Sequence, residues 1–188
     1  MTAIGHTWSF TARLLRALWR QPWMIGVNLV QPVIWLLLFG QLFQSVVHIP
    51  GFAEGSYIEF LAPGVVVMTA LFSNGWSGMS LVNDIQNGVL DRFLVSPTHR
   101  GAIIAGCLVY QGLVTLFQSL VILGLAVLMG AWYGESLAGL AVLVIGAMLL
   151  GAFFASLSNT IGLLTRQGET LVVLVNFVVL PATFLSTA

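Results

Sequence analysis

The chain has 188 residues, of which 59% are hydrophobic and only 6% charged, six basic against six acidic. A soluble domain carries about a quarter of its residues as Asp, Glu, Lys and Arg. This composition, with a mean hydropathy of +1.01, therefore excludes an ordinary water-facing surface.

A helix needs roughly 20 mainly apolar residues to cross a bilayer core. Runs over 24–47, 60–82, 102–132, 137–164 and from 171 onward reach or approach that length. Each is apolar all round, without the alternation of a barrel strand. The expected fold is all-α, a polytopic transmembrane helix bundle of about five spans. No cleavable leader is read at the start, because the first apolar run begins late and is long enough to remain as an anchor.

The chain opens with an amphipathic stretch over 6–20. At 3.6 residues per turn Trp8, Ala12, Leu15 and Trp19 share one face, and Arg13, Arg16 and Arg20 a neighbouring one. Trp and Arg both suit the headgroup level, so a helix lying in the interface is expected before the first span. Gln21-Pro22 then turns the chain into the membrane. Two roles fit this helix: a lipid anchor, or one wall of a docking surface for a cytoplasmic partner.

Basic residues flanking spans remain cytoplasmic. Arg13, Arg16 and Arg20 precede the first span, Arg92 and Arg100 follow the second, and Arg166 follows the fourth. The intervening connections carry Glu54, Glu59 and Glu135 but no Arg. All six Arg fall on alternate connections, which predicts a cytoplasmic N-terminus. Five spans then start the C-terminal end outside, and the last apolar run stops short of a comfortable crossing.

The connector over 83–101 is the longest polar one. Asp84, Asn87 and Asp91 share one helical face, while Ile85, Val89 and Phe93, with Leu90 and Leu94 beside them, share the other. An amphipathic helix is predicted, with Asp84 near its start and Arg100 near its end, as the helix dipole favours. Pro97 ends it. Its apolar face suits either lipid or a groove in another protein. The short turn over 165–169 offers only a cap or a minor contact.

No charged residue lies near the middle of a span, which argues against proton- or ion-driven carriers and voltage sensors. Uncharged polar residues do occur. Gln111, Thr115, Gln118 and Ser119 form a stripe along the third span, and Asn74 lies in the second. Hydrogen bonding between helices and the lining of a substrate path are the two readings. Ala147, Gly151 and Ala155 form a small-residue face for close packing in the fourth span.

Gly75-Trp76-Ser77-Gly78 resembles the Gly-x-Ser-Gly of intramembrane serine proteases. A serine nucleophile needs a base in reach, and His6, His48 and His99 all lie outside the apolar runs. No phosphate loop, metal-ligand cluster or dinucleotide fingerprint occurs. Catalytic and metal-binding residues are therefore not expected.

The run from Asp84 to Arg100, with Gly88, Leu90-Asp91-Arg92, Leu94 and Ser96-Pro97, resembles the cytoplasmic signature of ABC-2 type transporter permeases. Phe60-Leu61-Ala62-Pro63-Gly64 is similar to that family's entry into its second span, and Pro22 with Gln31-Pro32 to its first. The flavour is that of the drug-resistance, daunorubicin-exporter-like branch.

The resemblance implies one ABC-2 transmembrane domain over 1–188, with six spans expected and the last portion missing. It implies a pairing of two permease subunits, as a homo- or heterodimer, and a separate cytoplasmic ATPase that holds ATP and Mg. This chain would bind no cofactor itself. The 6–20 helix and the 84–100 connector would dock and couple the ATPase, through Asp84, Gly88, Leu90, Asp91, Arg92, Leu94, Pro97 and Arg100. The expected function is the permease subunit of an exporter in the cell membrane, moving a drug, lipid or polysaccharide. A non-transporting scaffold or regulatory subunit, or a remnant of such a permease, is the alternative. Membrane lipid is an expected contact and nucleic acid is not.

Overall fold

A computed structural model describes residues 3–20, 22–43, 57–89, 100–131 and 137–186. Those residues form seven α-helices and, among them, no strand. The helices are α1 (Ala3–Arg20), α2 (Pro22–Leu42), α3 (Tyr57–Gly75), α4 (Gly78–Gln86), α5 (Arg100–Leu128), α6 (Leu137–Thr165) and α7 (Gly168–Ser186).

Three apolar stretches are long enough to cross a membrane: Tyr57–Gln86, Ile103–Leu128 and Ala138–Thr165. Two shorter ones, Gly26–Leu42 and Gly168–Thr183, accompany them. At 1.5 Å per residue, the 29 residues of α5 and of α6 extend about 43 Å. That exceeds a hydrocarbon core of roughly 30 Å, so these helices tilt or project beyond it.

The spans alternate in direction, with α3 and α4 forming one span. Arg13 of α1 meets Asp84 at the end of α4, and Thr11 meets Gly106 near the start of α5. The end of α6 and the start of α7 lie on the same side, where Gly168 comes close to Met79. All the Arg positions that the structure describes (13, 16, 20, 100 and 166) therefore fall at one end of the bundle, here termed the α1 end.

The expected second span is not one uninterrupted helix. It breaks at Trp76–Ser77, where tightened bonds run from Ser77 N to Asn74 O, Met79 N to Trp76 O and Ser80 N to Ser77 O, at 3.1–3.2 Å. The cause is a close crossing with α6. A Cβ at Gly78 would overlap the carbonyl of Ser158, and one at Gly162 would come within 3.0 Å of the carbonyl of Gly78. Instead the Gly78 N–H donates to Ser158 Oγ at 3.0 Å. Only glycine permits this approach.

The core has three parts. Leu36, Ile58, Ala62, Val66, Ile122 and Ala126 fill the half remote from α1. Leu71, Val82, Phe154, Leu171 and Val175 join α3, α4, α6 and α7. Leu81, Ile103 and Cys107 pack beneath Leu14 of α1.

The small-residue face of α6 is buried at Ala147, Gly151 and Ala155, as its spacing predicts. By contrast, Val142, Leu149, Phe153, Val173 and Phe177 are exposed, an outer surface suited to lipid.

Candidate functional site

Two features meet at the α1 end. The first is the seat of α1. Its bundle face is Thr11, Leu14 and Leu18, one turn apart, rather than the Trp8 and Leu15 face. Thr11 is completely buried, with its hydroxyl in reach of the carbonyls of Thr7 (3.0 Å) and Gly106 (3.2 Å). Trp8 stays 65% exposed. Arg16 and Arg20 are exposed, Arg16 folding back onto the Ala12 carbonyl. Trp19 lies within α1, and its side chain is outside the described residues.

Arg13 is the exception among these arginines. Its Nη2 lies 2.7 Å from Asp84 Oδ2, both side chains being partly shielded. Asp84 occupies the last turn of α4, where the helix dipole disfavours an anion, and the guanidinium offsets that charge.

This placement corrects the expected connector helix. Asp84 and Asn87 close the second span's helix instead of opening a new one. Gly88 takes φ +66° and donates its N–H to Ile85 O, ending the regular turns of α4. Leu90, Asp91, Arg92, Leu94 and Pro97 lie outside the described residues. Arg100 begins α5, with its side chain outside them as well.

The second feature is a half-open cleft of about 610 Å³ among α1, α2, α3, α4 and α5. Leu18 closes its α1 end, and Val65 and Trp35 reach toward mid-bundle. Pro32, Thr69, Ser77 and Gln111 form buried parts of its wall. Asn28, Gln31, Ser80 and Asn83 are exposed parts. None of the described lining residues is charged.

Of the stripe on α5, only Gln111 lines the cleft. Thr115 accepts a hydrogen bond from Asn74 Nδ2 at 2.8 Å, and Asn74 also donates to the Ala70 carbonyl. Ser119 donates to the Thr115 carbonyl, and Gln118 is 3% exposed. These groups sit in packing between helices. Ser77 follows the same rule: its hydroxyl lies 3.3 Å from Asn159 Oδ1 and 3.4 Å from the Ala155 carbonyl, so it faces an amide and not a base.

Sequence reasoning missed Thr11, Ser158 and the aromatic part of the cleft wall. Ser158 was within reach of the pattern, because it lies between Ala155 and Gly162 on the small-residue face. Trp35, Trp76 and Tyr110 gave no such signal, since aromatic residues in an apolar run read simply as span.

Comparison with known proteins matches the description "ABC-2 type transporter" over residues 5–188. The daunorubicin resistance ABC transporter permease protein DrrB1 of Streptomyces coeruleorubidus is 31% identical over 151 residues, 79% of this chain and 50% of the relative. A doxorubicin resistance ABC transporter permease of Mycobacterium tuberculosis, named as a probable DrrC, is 24% identical over 165 residues, 87% and 59% of the two chains. The ycf38 protein of Porphyra purpurea, described as a candidate transport permease, is 32% identical over 119 residues, 63% and 41%. The chain thus spans about half the length of these curated relatives. No solved structure matches. With the family pattern covering nearly every residue of this helical, multi-pass membrane chain, it belongs to the ABC-2 type transporter family of permeases.

Proposed function

We propose that this chain is the membrane permease subunit of an ATP-binding-cassette exporter of the cell membrane, with its N-terminus cytoplasmic. It would work as one of two paired permease subunits, beside a separate ATPase that binds ATP and Mg. The observation that carries this reading is the Arg13–Asp84 pair at 2.7 Å. It ties the N-terminal helix to the end of the second span, immediately before the connector with the family-like signature.

The collection of Arg positions at that end supports a cytoplasmic assignment for it. The docking surface would comprise Trp8, Arg16, Trp19 and Arg20 of α1, together with the connector residues Leu90, Asp91, Arg92, Leu94, Pro97 and Arg100. Gly88 would set the angle at which the connector leaves α4. Motion of the ATPase would act on the connector, and through α4 on the cleft.

The cleft, with Gln111 in its wall, would be the near part of the substrate path. Asn74, Thr115, Gln118 and Ser119 would hold the helices around it. Drugs, lipids and polysaccharides are the substrate classes of the reading.

The test is co-purification with the candidate ATPase subunit from membranes. Charge reversal at Asp84 and Asp91, combined with Gly88→Pro, is expected to abolish association while the permease remains in the membrane. Unchanged association refutes the docking assignment.

A further inference from the structure

The cleft carries information about what it holds. Its volume of about 610 Å³ lies within the usual range for a single small-molecule ligand. Its wall combines Trp35, Phe72, Trp76 and Tyr110 with the carboxamides of Asn28, Gln31, Asn83 and Gln111. Those carboxamides form no side-chain hydrogen bond with the described residues. Each offers both a donor and an acceptor.

Gln111 sharpens the point, because it is only 9% exposed and lines the cleft. An amide without a partner in an apolar bundle is unfavourable unless something in the space answers it. Charge is the second discriminator. None of the described lining residues is ionic, and the adjacent Arg13–Asp84 pair is internally neutralised. A cation or an anion entering the cleft would lose water and meet no counter-charge from those residues.

A third observation gives direction. Trp35 stacks on Phe39 with ring centroids 4.8 Å apart, Phe39 on Phe43 at 5.6 Å, and Phe43 meets Tyr57 at 5.9 Å. This ladder leaves the cleft at Trp35 and follows α2 away from the α1 end. A flat or extended apolar body can lie along it while a polar head stays among the carboxamides.

We propose that the cleft binds an uncharged amphiphile taken from the membrane, its hydrogen-bonding head against Asn28, Gln31 and Gln111 and its apolar body toward Trp35. This deepens the permease reading and rests on it for regarding the occupant as cargo. The binding itself requires no ATPase.

The experiment uses the full chain in lipid nanodiscs and a monoacylglycerol with a diazirine in its acyl chain. Two analogues share that chain but carry a trimethylammonium or a phosphate head. After irradiation, labelled positions are mapped by peptide mass spectrometry. The neutral probe is expected to label the cleft faces of α2 and α5 about fivefold or more above either charged analogue. Gln31→Leu with Gln111→Leu is expected to lower that labelling roughly five- to tenfold, with the thermal unfolding midpoint equal to or above that of the unaltered protein. Trp35→Leu, at a partly exposed position, gives an independent second loss.

Equal labelling by the charged analogues overturns the proposal. So does even labelling of outward residues such as Leu149 and Phe177. Cross-linking of position 31 to a second copy of the chain, in place of the probe, likewise overturns it by making the cleft a subunit interface. Loss of ATPase association leaves the labelling result intact, whereas absent labelling with the ATPase still bound removes the cleft assignment alone.

Discussion

Gly151→Ala tests the most tightly specified contact in the bundle. A Cβ there would lie 2.5 Å from Asn74 Nδ2, 3.1 Å from Asn74 Cγ and 3.4 Å from Thr115 Oγ1. Ordinary contact distances for such atoms begin near 3.5 Å, so the Asn74 amide must retreat by about 1 Å. It cannot do so while donating to Thr115 Oγ1 and Ala70 O, each at 2.8 Å. An interhelical hydrogen bond in a membrane contributes about 0.6 kcal/mol and up to about 1.7. Leaving the buried amide unpaired adds about 1–3 kcal/mol. Replacing a helical glycine by alanine returns about 1 kcal/mol. The net expectation is a destabilisation of about 1–3 kcal/mol, measured by reversible detergent-induced unfolding in bicelles. Gly146→Ala on the same helix is the control, because its Cβ would meet nothing within 4 Å. In an Asn74→Ala background the cost of Gly151→Ala should vanish, since the obstructing amide is gone. Equal stability of the Gly151→Ala and Gly146→Ala proteins, or strict additivity with Asn74→Ala, would refute the reasoning.

Four further outcomes are expected. A double-mutant cycle on Arg13→Gln and Asp84→Asn should give a coupling of about 0.5–1 kcal/mol, as for other partly exposed pairs. Exchanging the two charges should restore ATPase association lost in either single reversal, and failure of that rescue removes the pair from the docking role. Cys107, the single cysteine and only 6% exposed, should resist maleimide in the folded protein. Leu14→Ala, which thins the layer above it, should raise the labelling rate about tenfold; an unchanged rate means that α1 does not cover this cluster. Gly88→Ala should cost about 1–2 kcal/mol, because its φ of +66° burdens a Cβ even in open space. Gly101→Ala, also in open space, is the comparison, and equal stability would refute the strain argument.

The helical elements were legible because apolar length is a local property. Runs at 102–132 and 137–164 anticipate α5 and α6 to within a few residues at most ends. The face formed by Ala147, Gly151 and Ala155 was legible for the same reason, since three small residues at fourfold spacing permit little else. The break at Trp76–Ser77 was not. It arises from Gly78 meeting Ser158, eighty positions away in the chain, and no local pattern encodes that approach. Asp84 was misassigned because the apolar period of Ile85 and Val89 continues through Gly88, whereas the backbone reverses its handedness there. The α5 stripe shows a further limit. Gln111 and Thr115 are one turn apart and chemically alike, yet one faces the cleft and the other answers Asn74. Only the positions of α3 and α6 distinguish them.

The geometry of α4 joins the two halves of the site. Its nine residues span about 13 Å, bounded by the turn at Trp76–Ser77 and the left-handed Gly88. Met79, Ser80 and Asn83 face the cleft, whereas Gly78 and Val82 rest on Gly162 of α6. Asp84, in the final turn, holds Arg13. A short helix between two backbone breaks moves more readily as a unit than the 29-residue helices beside it. The contact with α6 is backbone against backbone, however, so displacement directly toward α6 is blocked at Gly78 and Gly162. Tilting about that contact remains, and it shifts Ser80 and Asn83 across the cleft while Asp84 pulls or releases α1. A force on the connector would therefore reach the cleft wall through about two and a half turns of helix. The Arg13–Asp84 pair, weak enough to break and re-form, lies at the end of α4 nearest the connector.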